Sequence, residues 1–372
     1  MPVQQIDLND KRAVQSFIQL PFDIYRGNPY WVPPMRSDLQ AALDPQRHPF
    51  YQHSQAAFFL ARAHGQVQGR LAILDNERYK AHTGQQTGFF YFFECVDDLE
   101  VSQALFQAGF EWARQRGLKS LIGPKGLAQG DGLGLLVEGF ADLPAMGIPY
   151  NPPYYARLIE TAGFTKETDY LSGYLSSDYQ LPERVFELAE RVKARRGLWV
   201  RRFESKAEMR AVIPEIHKVY NSAFKVVPNF VPITQDEIEL VANRILSVAD
   251  PRLIKLIYKR DELIGFLFAY KNIGAGLRKA DGRMWPFGWW HILRAFRTTR
   301  VADFNGIGLL PEHQGVGATA ILYTELEKTA REFDFEHANI VQIAETNMKS
   351  FGEADHLGVT WDKRHRSYQV KL

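Results

Sequence analysis

The stretch PEHQGVGATAILYTELEKTA, from Pro311 to Ala330, joins a glycine-rich turn directly to an amphipathic segment. The segment VADFNGIGLL that precedes it has the composition of a buried strand. The apolar residues that follow the turn recur at the spacing of a helix that buries one face, namely Ala318, Leu322, Leu326, Ala330 and Phe333. The stretch therefore predicts a strand, a tight turn and a helix in direct succession.

The turn itself, QGVGAT from Gln314 to Thr319, is suited to receive an anion. The first amide groups of a helix have no internal partner and carry partial positive charge, so a phosphate is stabilised there. Glycine at 315 and 317 lets an anion approach the backbone. The turn lacks the Lys-Ser/Thr of a nucleotide-triphosphate loop and does not match GxGxxG. From these residues alone, a phosphate site and a plain turn before a core helix remain alternatives.

The composition is that of a globular protein long enough for two domains. The chain has 372 residues, of which 45% are hydrophobic and 24% charged. Lys and Arg total 45 against 43 Asp and Glu, a net charge of +2 that gives no indication of a nucleic-acid or membrane partner. We therefore expect neither partner.

Cysteine and histidine usage gives no sign of a metal or a disulfide. Cys95 is the single cysteine, lies in the strand-like run GFFYFFECV, and is interpreted as buried filler rather than a nucleophile. No Cys/His cluster has zinc spacing, and His48 and His53 are interpreted as surface or packing residues. The N-terminal sequence does not resemble a signal peptide, and no window has the apolar length of a spanning helix. We expect a soluble, cytoplasmic protein.

The order of elements repeats along the chain. Each half reads as strands, helix, strand, helix and strand, which predicts two units of similar fold. The predicted boundaries are 1–178 for the first unit, 179–197 for a helical connector and 198–372 for the second unit. In the first unit, the segment 102–117 places Leu105, Phe106, Phe110 and Ala113 on one helical stripe.

The segment LLPEHQGVGATAILYTELEKTA resembles the coenzyme A-binding segment of the GCN5-related N-acetyltransferase (GNAT) superfamily. In that superfamily, Q/R-x-x-G-x-G/A follows a strand and begins a long helix. Gln314 matches the first position and Gly317 the fourth, whereas Thr319 replaces the small residue at the sixth. A second landmark is similar to N-x-x-A…Y-x-x-x-G, with Asn347, Ser350 and Gly358 at matching positions. The resemblance covers the chain from about residue 300 onward, and the first half matches in element order only.

The resemblance implies a tandem GNAT protein of α/β (α+β) class, in which mixed, mostly antiparallel sheets are flanked by helices. It implies acetyl-CoA or another acyl-CoA as co-substrate, no metal, and a small-molecule or peptide amine as acceptor, with a homodimer as an open possibility. The oxyanion donor would be a backbone N–H of Leu309 or Leu310, with the pantetheine between the strands that hold Leu309 and Ile343. The predicted cofactor-binding residues are Leu309, Leu310, Gln314, Gly315, Val316, Gly317, Ala318, Thr319, Asn347 and Ser350.

The catalytic groups are less well matched. Asp303 occupies the position of the glutamate general base of the histone-acetylating branch, and Glu345 is the reserve base. We expect an aspartate in an apolar strand to have a raised pKa, although a solvated carboxylate at the strand end remains the alternative. The tyrosine that serves as general acid in many members is replaced by Ala354, with Tyr323 and Tyr368 as possible substitutes. Two rival functions therefore stay open: a non-catalytic acyl-CoA-binding protein and a Fem-like aminoacyl transferase.

Three further features complete the predictions. The first half lacks Q/R-x-x-G-x-G, and its glycines at 126, 130, 132 and 134 come after a strand, so it is interpreted as a degenerate copy. The aromatic insertion WPFGWWHILRAFR, Trp285–Arg297, predicts a helix that covers the sheet or the interdomain seam, with an apolar substrate pocket or a membrane surface as alternatives. The run KRHR at 363–366 predicts a solvated strand edge, with a weak anion patch as the alternative.

Overall fold

The computed structural model describes residues 1–176, 178, 180–225 and 227–372. The strands are β1 Val3–Gln5, β2 Gln55–Ala63, β3 Gln66–Asp75, β4 Thr87–Cys95, β5 Ser120–Gly123, β6 Leu135–Glu138, β7 Thr165–Ser176, β8 Leu198–Arg201, β9 Ile254–Lys259, β10 Glu262–Lys271, β11 Val301–Leu309, β12 His337–Ala344 and β13 Thr360–Lys371.

The helices are α1 Lys11–Ile24, α2 Arg36–Ala42, α3 Glu77–Thr83, α4 Leu99–Gln115, α5 Tyr155–Thr161, α6 Glu183–Arg196, α7 Lys206–Ala211, α8 Ile213–Ala223, α9 Gln235–Val248, α10 Gly274–Ala280, α11 Gly288–Thr298, α12 Ala318–Glu332 and α13 Met348–His356. None of these described helices has the length and apolar character needed to cross a bilayer.

The chain forms two compact units that differ from the predicted linear boundaries. Unit 1 comprises Met1–Tyr170, Gly274–Ala295 and Lys363–Leu372, and unit 2 comprises Leu171–Ile273 and Phe296–Asp362. The predicted connector, whose first residue 179 lies outside the described residues, contributes helix α6 to unit 2. The aromatic insertion as far as Ala295, and β13 from Lys363 onward, fold with unit 1, which linear sequence order does not reveal.

Unit 1 contains a mixed sheet. Strands β1, β2, β3 and β4 follow one another antiparallel, β4 pairs with β5 in parallel, and the C-terminal half of β13 pairs antiparallel with β5 and β6. Helix α4 packs on this sheet with the predicted stripe, since Leu105, Phe106 and Ala113 are wholly buried and Phe110 is half-buried. The predicted fold class is confirmed for this unit.

Unit 2 repeats that arrangement. Strands β8, β9, β10 and β11 are antiparallel neighbours, and β11 pairs with β12 in parallel. Helix α12 follows β11 and buries Ala318, Leu322 and Leu326 in the core of the unit, as the sequence predicts. Helices α7 and α8 follow each other directly, separated by Val212. Pro214 lies in the first turn of α8, where its missing N–H is tolerated.

The basic run 363–366 corrects a prediction. It is neither a solvated strand edge nor an anion patch, because His365 is fully buried and Arg366 forms an ion pair with Asp169 at 2.8 Å. Arg364 reaches the same carboxylate at 3.2 Å. Burial opposes ionisation of Asp169, but hydrogen bonds from Arg366 and its basic neighbours outweigh burial and lower its pKa to about 2. The run therefore anchors the C-terminal strand within unit 1.

Candidate functional site

The candidate site begins where two parallel strands of unit 2 part. Strand β11 pairs with β12 from Val301 with His337 to Phe304 with Ile340, and no further pair joins these fully described strands. On its other edge, β11 pairs with β10 as far as Leu309. The β10 ladder skips Asn305, because Phe268 faces Gly306 and Ala269 faces Phe304. Such a bulge bends its strand, so β11 leaves β12 at the residue where the parallel ladder ends.

The turn after β11 has the backbone geometry that its glycines permit. Gly315 has φ +72° and Gly317 has φ +90°, conformations that side-chain-bearing residues rarely adopt. Gly317 is the N-cap of α12, and no side chain caps that helix. A Cβ at 317 would also lie 2.8 Å from Val192 Cγ2 on α6. Gly317 is therefore required by the turn and by helix packing, independently of any ligand.

The amide groups of the turn have no protein acceptor in the part of the chain that the structure describes. No hydrogen bond leaves the N–H of Gly315, Val316 or Gly317, and the first turn of α12 adds the unsatisfied amides of a helix start. Nothing lies within 4 Å of the position that a Cβ of Gly315 would take. The turn thus presents a set of donors to solvent with open space before them, as an anion site requires.

Two side chains extend this donor set. Gln314 donates from Nε2 to the carbonyl of Leu309 at 3.3 Å, which ties the turn to the end of β11. Its Oε1 accepts from Lys349 Nζ at 3.1 Å. Lys349 is exposed on the first turn of α13 and brings a positive charge to the turn. Sequence reasoning missed this lysine, and the only signal was its place two residues after Asn347.

The structure separates the two predicted oxyanion donors. The N–H of Leu310 donates to the carbonyl of Ile264 at 2.9 Å, so it faces β10 and is not available to a substrate. Successive N–H groups of a strand point to opposite sides, so the N–H of Leu309 faces the side on which β12 diverges. Leu309 is thus the candidate that remains, and its role as donor stays a prediction.

Comparison with known proteins identifies the fold of the chain. No family model matches the sequence. A solved tandem GNAT protein from the clavulanic acid biosynthesis pathway is 14% identical, with a TM-score of 0.57, and the alignment covers 100% of this chain and 98% of that one. A GCN5-related N-acetyltransferase from Sphaerobacter thermophilus is 13% identical with a TM-score of 0.50, covering 100% and 95% of the two chains.

The chain has the tandem GNAT fold. Among curated proteins, it is 26% identical to the bacterial ceramide synthase of Caulobacter vibrioides (strain NA1000 / CB15N), over 99% of this chain and 97% of that one. It is 25% identical to Protein YghO of Escherichia coli (strain K12), over 98% and 94%. Both likenesses extend over the whole chain, so they include unit 1, in which sequence motifs are lacking.

The predicted base of the GNAT site lies within the paired part of the sheet. Asp303 is fully buried, and its Oδ1 accepts from Asn272 Nδ2 at 3.0 Å and from Asn339 Nδ2 at 2.6 Å. The alternative of a solvated carboxylate at the strand end is therefore wrong. Its place in the closed part of the ladder favours a structural role, because two amides hold it away from the turn. Glu345 follows the last residue of β12, at the end where the strands diverge.

The second landmark has a local structural role. Asn347 is the N-cap of α13, and its Oδ1 accepts from the N–H of Ser350 at 3.2 Å. This hydrogen bond fixes the start of α13 and thereby the position of Lys349. Contact of Asn347 or Ser350 with a cofactor stays a prediction.

The position of the GNAT general acid is empty of proton donors. Ala354 is buried in α13, and of the two suggested substitutes Tyr368 belongs to the core of unit 1, where its hydroxyl donates to Glu160 at 2.9 Å. Tyr323 lies on α12 in unit 2, and burial followed by the charge of Glu353 raises its pKa well above the ordinary value. Its hydroxyl therefore stays protonated at neutral pH. Burial also raises the pKa of Glu353, although Lys349 lowers it in part.

Other chemistry finds little support among the described residues. No group of three or more His, Cys, Asp or Glu side chains is placed to hold a metal ion there. Cys95 is buried in the core of unit 1. Burial, with the charges of Asp98 and Glu94, raises its pKa to about 12, so its thiol is not activated as a nucleophile.

Proposed function

We propose that the protein is an acyl-CoA-dependent N-acyltransferase whose acyl donor binds in unit 2. The observation that carries the proposal is the set of unpartnered amides from Gly315 to Gly317 at the start of α12, beside the point where β11 leaves β12. These amides suit the pyrophosphate of coenzyme A, and Lys349 adds a cation. The diverging edge of β11 offers backbone groups to the pantetheine as an added strand would.

The acceptor that we propose is the amine of a long-chain amino alcohol. The support is the full-length likeness to a protein named bacterial ceramide synthase, since a ceramide is the amide of such an amine with a fatty acid. The aromatic rings beside the open half of β11 are compatible with apolar chains. Phe224 and Phe266 lie 5.9 Å apart there, and a Cβ at Gly306 would be 3.8 Å from Phe224.

The reaction is direct aminolysis of a thioester. The neutral amine attacks the carbonyl carbon, a C–N bond forms, the C–S bond breaks and the coenzyme A thiolate leaves. The N–H of Leu309 is the proposed donor to the oxyanion. Glu345 is the proposed acceptor of the amine proton, and the protonated hydroxyl of Tyr323 is the proposed donor to the thiolate.

The test measures release of free thiol and formation of amide. The full chain is incubated with acetyl-CoA or palmitoyl-CoA and with sphinganine, glucosamine or lysine as acceptor. We expect thiol release with palmitoyl-CoA and sphinganine, and a product mass equal to that of the N-acyl amine. Release with glucosamine or lysine alone would overturn the acceptor. Absence of release in every combination would overturn the enzyme.

A specific observation favours the non-catalytic alternative. Ala354 stands where many GNAT enzymes have their acid, and Asp303 is fully buried. Calorimetric titration of coenzyme A into the wild type separates the two functions. Tight binding without thiol release for any acceptor indicates an acyl-CoA-binding protein, whereas absence of binding contradicts both.

A further inference from the structure

A contiguous apolar surface lies on the part of unit 1 formed by Gly274–Ala295. Eleven large hydrophobic side chains of the described chain are exposed, and six of them fall in one ten-residue segment. Trp285 is 78% exposed and Phe287 is 68% exposed. We call these six the aromatic patch: Met284, Trp285, Phe287, Trp289, Trp290 and Leu293. These side chains do not cover the sheet, and a covering role for the rest of the insertion stays a prediction. Concentrated apolar exposure of this kind marks a binding surface.

The backbone fixes the aromatic patch in this exposed position. The N–H of Trp289 donates to the carbonyl of Met284 at 3.0 Å, and the N–H of Trp290 donates to that of Phe287 at 3.1 Å. Gly288 is required at the bend, because a Cβ there would lie 1.7 Å from the carbonyl oxygen of Arg283. The bend at Gly288 thus sets the start of α11, on which Trp289, Trp290 and Leu293 are exposed.

A cationic cleft of about 300 Å³ lies within unit 1. Its lining includes Arg26, Arg36, Arg278 and Arg283, with Asp281 as the single acidic residue among them. We call this the arginine cleft. Arg283 directly precedes Met284, so the cleft and the patch are continuous along the chain.

Two observations indicate that the arginine cleft is built for an anion. The Nε of Arg36 is buried without a hydrogen-bond partner, and its guanidinium lies 3.6 Å from the centroid of the Phe22 ring. Burial, and next the charge of Arg283, lower the pKa of Arg36, although the charges of Asp281 and Asp23 oppose this shift. Guanidinium groups bind phosphate through bidentate hydrogen bonds, and an anion between Arg36 and Arg283 would reduce the repulsion between their charges.

We propose that the aromatic patch inserts into the interface of an anionic phospholipid bilayer while the arginine cleft binds a lipid phosphate. Indole rings at the headgroup level next to arginines are the pattern of interfacial docking. The partner is a lipid surface rather than a second copy of the chain, because Arg283 and Arg294, which are next to patch residues along the chain, complement an anionic surface and not a second cationic one. This proposal replaces the prediction of no membrane partner and does not depend on the proposed enzymatic function.

The first arm of the test is sedimentation of the full chain with vesicles. Vesicles of phosphatidylcholine alone are compared with equal mixtures of phosphatidylcholine and phosphatidylglycerol. We expect the wild type to bind the mixed vesicles and Trp285→Ala/Phe287→Ala to bind them about tenfold more weakly, as two interfacial aromatics are lost. Trp199→Ala/Leu188→Ala, which removes exposed apolar side chains elsewhere, is the matched control and should bind as the wild type does.

The second arm tests the charge and the source of the phosphate. Arg283→Gln should lose the preference for phosphatidylglycerol, and raised salt should weaken wild-type binding. Failure of the wild type to sediment, or equal binding by the patch variant, overturns the proposal. Binding of inorganic phosphate by a wild-type protein that does not sediment with vesicles also overturns the proposal. If the patch variant differs from the wild type in oligomeric mass on ultracentrifugation but binds vesicles equally, the patch mediates self-association and the proposal is overturned. Near-ultraviolet circular dichroism confirms that each variant is folded.

Discussion

The starts of helices α4 and α12 occupy the same place in the two units, yet they satisfy their first amides in opposite ways. Each helix follows the fourth strand of an antiparallel series and leads to a strand that pairs in parallel with that fourth strand. Both preceding strands carry a bulge, since in unit 1 Ala72 faces Tyr91 while Arg70 faces Glu94. The two units thus share the strand arrangement and also the bulge in the strand before the helix.

The chemistry at the helix start differs. In unit 1, the carboxylate of Asp98 caps α4 by accepting from the N–H of Glu100 at 2.8 Å and from that of Val101 at 3.4 Å. In unit 2, glycine occupies the N-cap of α12, and no side chain accepts from its amides. A carboxylate that occupies the donors also repels an external phosphate. Unit 2 therefore leaves these amides without a protein acceptor among the described residues, whereas unit 1 uses them for its own stability.

The end of the preceding strand shows the same contrast. In unit 1, the N–H of Cys95 donates to the hydroxyl of Tyr155 at 3.0 Å, and the hydroxyl of Tyr154 donates to the carbonyl of Cys95 at 2.8 Å. In unit 2, the carbonyl of Leu309 accepts from Gln314, and its N–H faces the diverging side. In unit 1, tyrosine hydroxyls bind the backbone groups at the strand end, and a substrate is proposed to bind the equivalent groups in unit 2.

The largest expected effect comes from placing a carboxylate in unit 2 as in unit 1. Thr319→Glu should weaken acyl-CoA binding about 100-fold, or about 2.7 kcal/mol, because a negative charge faces the phosphates. The same charge at the start of α12 should leave the helix as stable or slightly more stable. Calorimetric titration with Thr319→Gln as the neutral control checks this. Equal affinity of the two variants would place the acyl-CoA site elsewhere.

Removal of the unit 1 hydroxyl should change stability and not binding. Tyr155→Phe removes the hydroxyl that accepts from the buried N–H of Cys95. The same hydroxyl donates to Glu94 Oε2 at 2.8 Å, so the carboxylate also loses one hydrogen bond. We expect a loss of about 2 kcal/mol in the free energy of unfolding, measured by urea denaturation. Tyr154→Phe, which removes a single hydrogen bond, serves as the comparison. A loss of acyl-CoA affinity in Tyr155→Phe would show that unit 1 takes part in binding.

Uncapping α4 should not convert it into a second site. Asp98→Ala is expected to cost about 1 kcal/mol of stability, whereas Asp98→Asn retains the cap. The stoichiometry of acyl-CoA binding should remain one per chain, because the backbone of Cys95 stays occupied by the two tyrosines. Titration of Asp98→Ala checks this, and a stoichiometry of two would refute the degenerate character of unit 1.

The smallest effect concerns a carboxyl in unit 2. The folded-state pKa of Glu353 lies above its unfolded value of about 4.3, so ionisation disfavours the fold. This penalty is absent below the unfolded pKa and is complete above the folded pKa. Glu353→Gln should therefore melt about 1–2 °C higher than the wild type at neutral pH and lose that gain near pH 4. A gain that is independent of pH would assign the effect to packing instead.

Much of the fold was predictable, because strand and helix periods reflect which faces are buried. The stripes of α4 and α12 and the strands around them follow from spacing alone. Helix α9 was not predicted, although Thr234 and Glu237 form a capping box that signals its start. The sequence motif also predicted the turn from Gln314 to Thr319. It did not predict Lys349, which reaches the turn from another helix.

By itself, the sequence determined the repeated order of elements, the glycine turn and the absence of tyrosine at 354, since each is a local property of composition and spacing. The tertiary structure decided which of those groups are available. Burial placed Asp303 between two asparagines, pairing with Ile264 removed the N–H of Leu310, and the fold left the aromatic patch exposed. Whether a polar or apolar group is free to contact a ligand depends on which residues pack against it. Those neighbours come from distant parts of the chain, so the local pattern of the sequence does not reveal them.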